Sequence, residues 1–308
     1  MLMPCACAGT SGLADDRQTA PRHVRPYGPV LRPPRRPVPI ARHRQGESVE
    51  RRRLMVKKNL ALAKQRAGQV TAGPLLVVGS PDVAETVAHM GFDWLFLDWQ
   101  HGEWTESTLN NALGRFLAVD CAPLVRVKGL ETSTINRVLD MGAMGVIVPM
   151  IETAEQARVA ASVVRYPPLG ARSGGGNRLS LIDSAGAAAY FDHANDEMML
   201  VVMVESEAAI ANVGEIMRVP GVDVVLIGPG DLMLDVKARG HDEARHERLV
   251  VRVAEAAAET GSVAGYVCST PDVARRRIEQ GFRFICYQSD LGTMMGGLRQ
   301  ARDESHRW

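Results

Sequence analysis

A short apolar run at residues 92–97 ends in Asp98, Trp99, Gln100 and His101. An acid, an amide and an imidazole leaving one apolar run is how a buried strand presents polar groups at a rim. Three further places have the same form: Arg126 and Lys128 close the run at residues 123–127, Glu205 closes that at 199–205, and Asp231 follows the turn Gly228-Pro229-Gly230. Two carboxylates, Glu205 and Asp231, are hard oxygen donors and suit a cation that keeps its waters, Mg²⁺ or Mn²⁺ rather than structural zinc. Each residue alone has an ordinary structural alternative. Arg126 could serve an ion pair, Glu205 could cap the helix starting at Ser206, and Asp231 could cap a helix behind the Gly-Pro turn.

The elements that must bring these groups together follow one pattern. Apolar runs of strand length lie at residues 75–78, 94–97, 123–127, 145–150, 199–205, 223–227, 262–267 and 282–287. Between them lie amphipathic stretches at 82–90, 106–117, 133–141, 153–165, 207–217, 243–259 and 271–279, with Ser80, Thr153 and Thr270 as N-caps. Strict β/α alternation implies a parallel sheet covered by helices. Eight units in some 250 residues point to a closed (β/α)8 TIM barrel, with an open doubly wound sheet as the alternative. In such a barrel all four polar strand ends share one rim.

Composition is that of a globular chain, 46% hydrophobic and 23% charged. No apolar run approaches the roughly 18 to 20 residues of a membrane helix. Five scattered cysteines make no disulfide framework, so a reducing cytoplasm is the expected location; Cys5 and Cys7 have no second ligand pair at zinc-finger spacing. Residues 1–53 hold eleven Arg, no Lys, four acids and eight Pro, a charge of +7 that leaves −6 for the rest of a +1 chain. With so little periodic apolar character, residues 1–54 are expected to be a disordered basic extension, and Met55 opens a plausible chain of its own for the domain at 55–308. An arm for nucleic acid or an organelle presequence would need stacking aromatics or an amphipathic helix that this segment lacks.

Six segments, in one order and spacing, resemble the HpcH/HpaI aldolase family: residues 92–101; Val125-Arg126 followed by 138–143 (VLDMGA); 148–157 (VPMIETAEQA); 165–172 (RYPPLGAR); Val204-Glu205-Ser206; and 227–232 (IGPGDL). The resemblance implies a (β/α)8 barrel that forms homo-oligomers, hexameric or trimeric. Its implied activity is metal-dependent class II cleavage of a 4-hydroxy-2-oxo acid to pyruvate and an aldehyde. It assigns Glu205 and Asp231 to a divalent metal (Mg²⁺, Mn²⁺ or Co²⁺), Arg126 to the keto oxygen and His101 to acid/base work. Asp98 would lie beside a metal-bound water, and Asp140 would orient His101, in one version across a subunit boundary. The N–H groups of Gly230 and Asp231 would hold the substrate carboxylate. Gln100 stands where some members have Glu, Met203 where some have Gln, and no tryptophan follows the first strand. These departures make Gln100 a candidate for substrate preference.

Such a reaction leaves an electron pair on C3 that needs neighbouring positive charge, and a C4 hydroxyl that must lose a proton, for which an imidazole is suited near neutrality. Two rivals remain: a Schiff-base aldolase using Lys128, two residues beyond Arg126, and a non-catalytic barrel with a nucleic-acid-binding tail. The glycines of Arg172-Ser173-Gly174-Gly175-Gly176-Asn177 lack the Lys-Ser/Thr of a phosphate loop and suit a lid or a plain connection.

Overall fold

Eight strands pair in sequence order, each parallel to the next, and the last returns to the first, closing a barrel. They are β1 (Thr71–Leu76), β2 (Trp94–Asp98), β3 (Ala122–Arg126), β4 (Gly145–Val148), β5 (Met199–Val204), β6 (Val224–Ile227), β7 (Val263–Cys268) and β8 (Phe284–Ser289). The computed structural model describes residues 57–182 and 186–308. The expected disordered extension at 1–54 and the domain start at residue 55 lie outside the described residues.

Around the strands lie α1 (Leu60–Arg66), α2 (Pro81–Ala88), α3 (Glu106–Arg115), α4 (Thr132–Asp140), α5 (Ala154–Val164), α6 (Leu179–Ile182), α7 (Ala187–Glu197), α8 (Glu207–Ala211), α9 (Val213–Met217), α10 (Pro229–Ala238), α11 (Glu243–Thr260), α12 (Pro271–Glu279) and α13 (Asp290–Ser305). The expected caps are in place: Ser80 accepts from the Val83 N–H, Thr153 from that of Gln156 and Thr270 from that of Val273. Thr153 and Gln156 form a full capping box.

Alternation along the strands sorts two cores. Leu95, Leu97, Val125 and Val146 face the helices, while Trp94, Phe96, Leu124 and Ile147 fill the barrel. The interior is plugged at its lower end, where Trp94 stacks on Phe284 with centroids 4.0 Å apart and α1 contributes Ala61 and Leu62. Gly73 makes room for that stack, since a Cβ there would lie 2.1 Å from the Trp94 carbonyl oxygen. The apolar filling ends upward at Asp98 and Arg126, directly paired in register, and at Glu205 beyond β5. No helix among the described residues is long and apolar enough to cross a membrane.

Candidate active site

Arg126 ends β3 inside the barrel and is almost fully buried. Asp98, its register partner on β2, accepts from Arg126 Nε at 2.8 Å and Nη2 at 2.6 Å. The same carboxylate takes the N–H groups of Gln100 at 3.1 Å and His101 at 3.2 Å, so it also shapes the loop after β2. Asp98 thus anchors both Arg126 and that loop. A bidentate carboxylate fixes the guanidinium plane. Among the described residues the third nitrogen, Nη1, meets only the sulfur of Met203 at 3.9 Å, a weak acceptor, which leaves it able to donate to another oxygen.

Glu205 follows β5 and is 4% exposed. Burial pushes its carboxyl above the usual range; the Met150 N–H, donating to Oε2 at 2.9 Å, and the nearby Arg126 cation oppose that shift, while Asp231 adds to it through charge and a side-chain hydrogen bond. Two carboxylates close enough to repel and to share a proton form a donor pair that a divalent cation would satisfy with both ionised. The site is shaped for it at Gly228, where a Cβ would stand 2.3 Å from Glu205 Oε1. Among the described residues no group of three or more His, Cys, Asp or Glu side chains forms a metal cluster. Glu205 and Asp231 therefore fit a hard cation completed by water and substrate oxygens, not a closed protein cage.

Asp231 is solvent-facing in the first turn of α10, whose N-cap Gly228 supplies no side-chain cap and whose first residue is Pro229. Helix geometry leaves the Gly230 and Asp231 N–H groups pointing out of that end. His101 is exposed on the β2–α3 loop, and Gln100 beside it buries an Oε1 without a partner. Asp140, at the end of α4, pairs with Arg172 at 3.0 Å, and among the described residues no hydrogen bond joins it to His101. Lys128 is exposed, its Nζ 4.9 Å from the centroid of the Trp99 ring. It has none of the burial that activates a Schiff-base lysine.

Two groups were not legible as functional in the sequence. Met150 enters through its backbone N–H, which any residue but proline carries. Gly228 enters through the side chain it lacks, and only its place in Gly228-Pro229-Gly230-Asp231 hints at it.

A closed parallel barrel with an anchored arginine and a carboxylate pair, one buried and one solvent-facing, at the C-terminal ends of its strands belongs to the enzyme class that uses that rim as an active site. A sequence profile of the HpcH/HpaI aldolase/citrate lyase family matches residues 76–296, and the chain belongs to that family. It is 35% identical over 253 residues to the 4-hydroxy-2-oxovalerate aldolase of Novosphingobium aromaticivorans, covering 80% of this chain and 93% of that protein. It is likewise 35% identical over 243 residues to the hydroxypyruvate/pyruvate aldolase of Pseudomonas aeruginosa, covering 76% and 88%. The crystal structure of an HpcH/HpaI aldolase/citrate lyase family protein from Burkholderia cenocepacia J2315 superposes with a TM-score of 0.74 at 30% identity, over 81% of this chain and all of the other.

Proposed function

We propose that the protein is a divalent-metal-dependent aldolase that cleaves a 4-hydroxy-2-oxo acid to pyruvate and an aldehyde. One observation carries this: buried Glu205, paired with the solvent-facing Asp231, lies within electrostatic reach of an arginine that Asp98 holds by two nitrogens and leaves free at the third. The names of the two relatives above support the same reaction type.

Glu205 and Asp231 would hold the cation, Mg²⁺ or Mn²⁺ with Co²⁺ as a further candidate. When bound, it supplies a Lewis-acid charge beside the C1 carboxylate and C2 oxygen of the substrate. The Gly230 and Asp231 N–H groups hold the carboxylate, and Arg126 Nη1 donates to the C2 oxygen. His101 takes the C4 hydroxyl proton, directly or through a water, as the C3–C4 bond breaks and C4 becomes the aldehyde carbonyl. The electron pair moves onto C3 as the enolate of pyruvate, stabilised by the fixed Arg126 charge, and a proton returned to C3 completes pyruvate. Gln100, with a free buried acceptor beside His101, contributes to substrate choice. Asp140, held by Arg172, would orient the His101 of a neighbouring copy in a homo-oligomer. α13 contains no buried residue and exposes Leu291, Met294, Met295 and Leu298 on one face, an apolar stripe that supports such assembly.

The test is pyruvate release from a panel of 4-hydroxy-2-oxo acids by the full-length protein, with and without chelator. Release abolished by chelator and restored by Mn²⁺ is expected, with Glu205→Ala and Asp231→Ala unable to bind Mn²⁺. Full activity in either variant would refute the metal assignment. Chelator-resistant activity that borohydride traps in the presence of pyruvate would transfer the chemistry to Lys128.

A further inference from the structure

Met150, two residues beyond β4, breaks the pattern of its neighbours twice. Its φ is +58°, in the left-handed region that a Cβ disfavours, and it is 55% exposed between buried Pro149 and Ile151. The β4–β5 ladder shows the reason. Val148 stands opposite Val202, and a regular parallel continuation would give the Met203 carbonyl to the N–H of Met150. That carbonyl instead accepts from the N–H of Ile151, at 3.0 Å. One extra residue has been taken into the β4 side, as in a β-bulge. The displaced Met150 N–H is turned onto Glu205 Oε2 at 2.9 Å.

We propose that Met150 is a positioning residue for Glu205 and acts through its left-handed backbone, not its thioether, fixing Oε2 and leaving Oε1, the oxygen against Gly228, to face the cation. This rests on the assignment of Glu205 to the metal made above. A backbone N–H donating to one carboxylate oxygen fixes the group's orientation and leaves the other oxygen for a cation. A strained backbone at the rim is thus a way of aiming a donor that a flat strand would spend on its neighbour.

The proposal separates backbone from side chain, and so does its test. Met150→Gly and Met150→Asn accept positive φ, whereas β-branched Met150→Val resists it. Full-length wild type and the three variants are titrated with Mn²⁺ by calorimetry, with thermal midpoints measured alongside. The Gly and Asn proteins are expected to bind within about twofold of wild type, and Val to bind about tenfold more weakly, the loss of one hydrogen bond to a charged group. Val binding as tightly as wild type overturns the proposal. So does a Gly or Asn protein that folds but loses affinity, whether or not Val folds, because the thioether would then be the working group. Wild type that takes up no Mn²⁺ overturns the metal assignment and this proposal together, which keeps the two failures distinct.

Discussion

Asp98 and His101 sit three residues apart on one strand end, yet their substitution should fail in different ways. Asp98 is buried and holds the buried Arg126 by two hydrogen bonds, so Asp98→Ala strands a charge inside the barrel and should cost about 3–5 kcal/mol of stability. His101 is exposed and its side chain anchors nothing in the fold. His101→Ala should unfold within about 0.5 kcal/mol of wild type, keep its Mn²⁺ affinity and lose about 10²–10⁴ in turnover. Denaturant melts, calorimetry and pyruvate release on the two proteins check this. An His101→Ala enzyme with near wild-type kcat would remove the residue from proton transfer. Asp98, Arg126 and Glu205 were visible in the sequence because each is a charge closing an apolar run, an expensive place for an idle group, and Asp231 because it follows the Gly228-Pro229-Gly230 turn after one. The Asp98–Arg126 register, the Met150 N–H and the Asp140–Arg172 pair were not, because they depend on which strand or loop lies alongside.

Elements differ in how openly the sequence announces them. Most strands were found near their bounds because runs such as MLVVMV in β5 are buried on both faces, but the strand expected at 75–78 begins earlier, as β1 at Thr71–Leu76, where the Gly73-Pro74 step in TAGPLL hides it. The expected strand at 145–150 stops at Val148, where the bulge begins. The expected helix at 207–217 divides at Asn212 into α8 and α9. Five helices lay outside the pattern: α1 and the single turn α6, too short for a period; α7, rich in Ala with no clear stripe; α10, hidden by its Gly-Pro-Gly start; and α13, weakened by Gly292, Gly296 and Gly297. Between α11 and α12 a clasp formed by Arg277 and Glu247, at 2.5 and 2.6 Å, is braced by Gln280, and the guanidinium lies over Tyr266 at 4.5 Å. Arg277 holds the Glu247 carboxyl down at about 2, from an ordinary 4.5. A depressed acid contributes stability that is complete above the unfolded value and is lost as pH falls through the folded one. Wild type should therefore melt higher than Glu247→Gln above about pH 4.5, with the gap closing toward pH 2. A gap that stays constant down to pH 2 would mean that the clasp is held by packing on Tyr266 and not by charge.

At the scale of the molecule, the barrel is complete in its strands and incomplete in its cover. A (β/α)8 fold closes its outer layer with the helix after each strand, yet α13, which follows β8, contains no buried residue. Leu291, Met294, Met295 and Leu298 are all exposed, Leu298 at 63%. Their spacing of three, four and seven residues puts them on one face of the helix, the stripe an amphipathic helix normally turns to a core. A stripe of this kind left in water favours association, and a second copy of the chain offers an equivalent helix. Wild type should run in light scattering at a multiple of the chain mass. The double substitution Met294→Lys with Leu298→Glu should shift it to the monomer while leaving the barrel's far-ultraviolet spectrum in place. If Asp140 of one copy serves His101 of another, turnover should fall with dissociation while Mn²⁺ affinity at Glu205 and Asp231 stays near wild type. A wild-type monomer with full turnover would sink both the assembly and the shared role of Asp140.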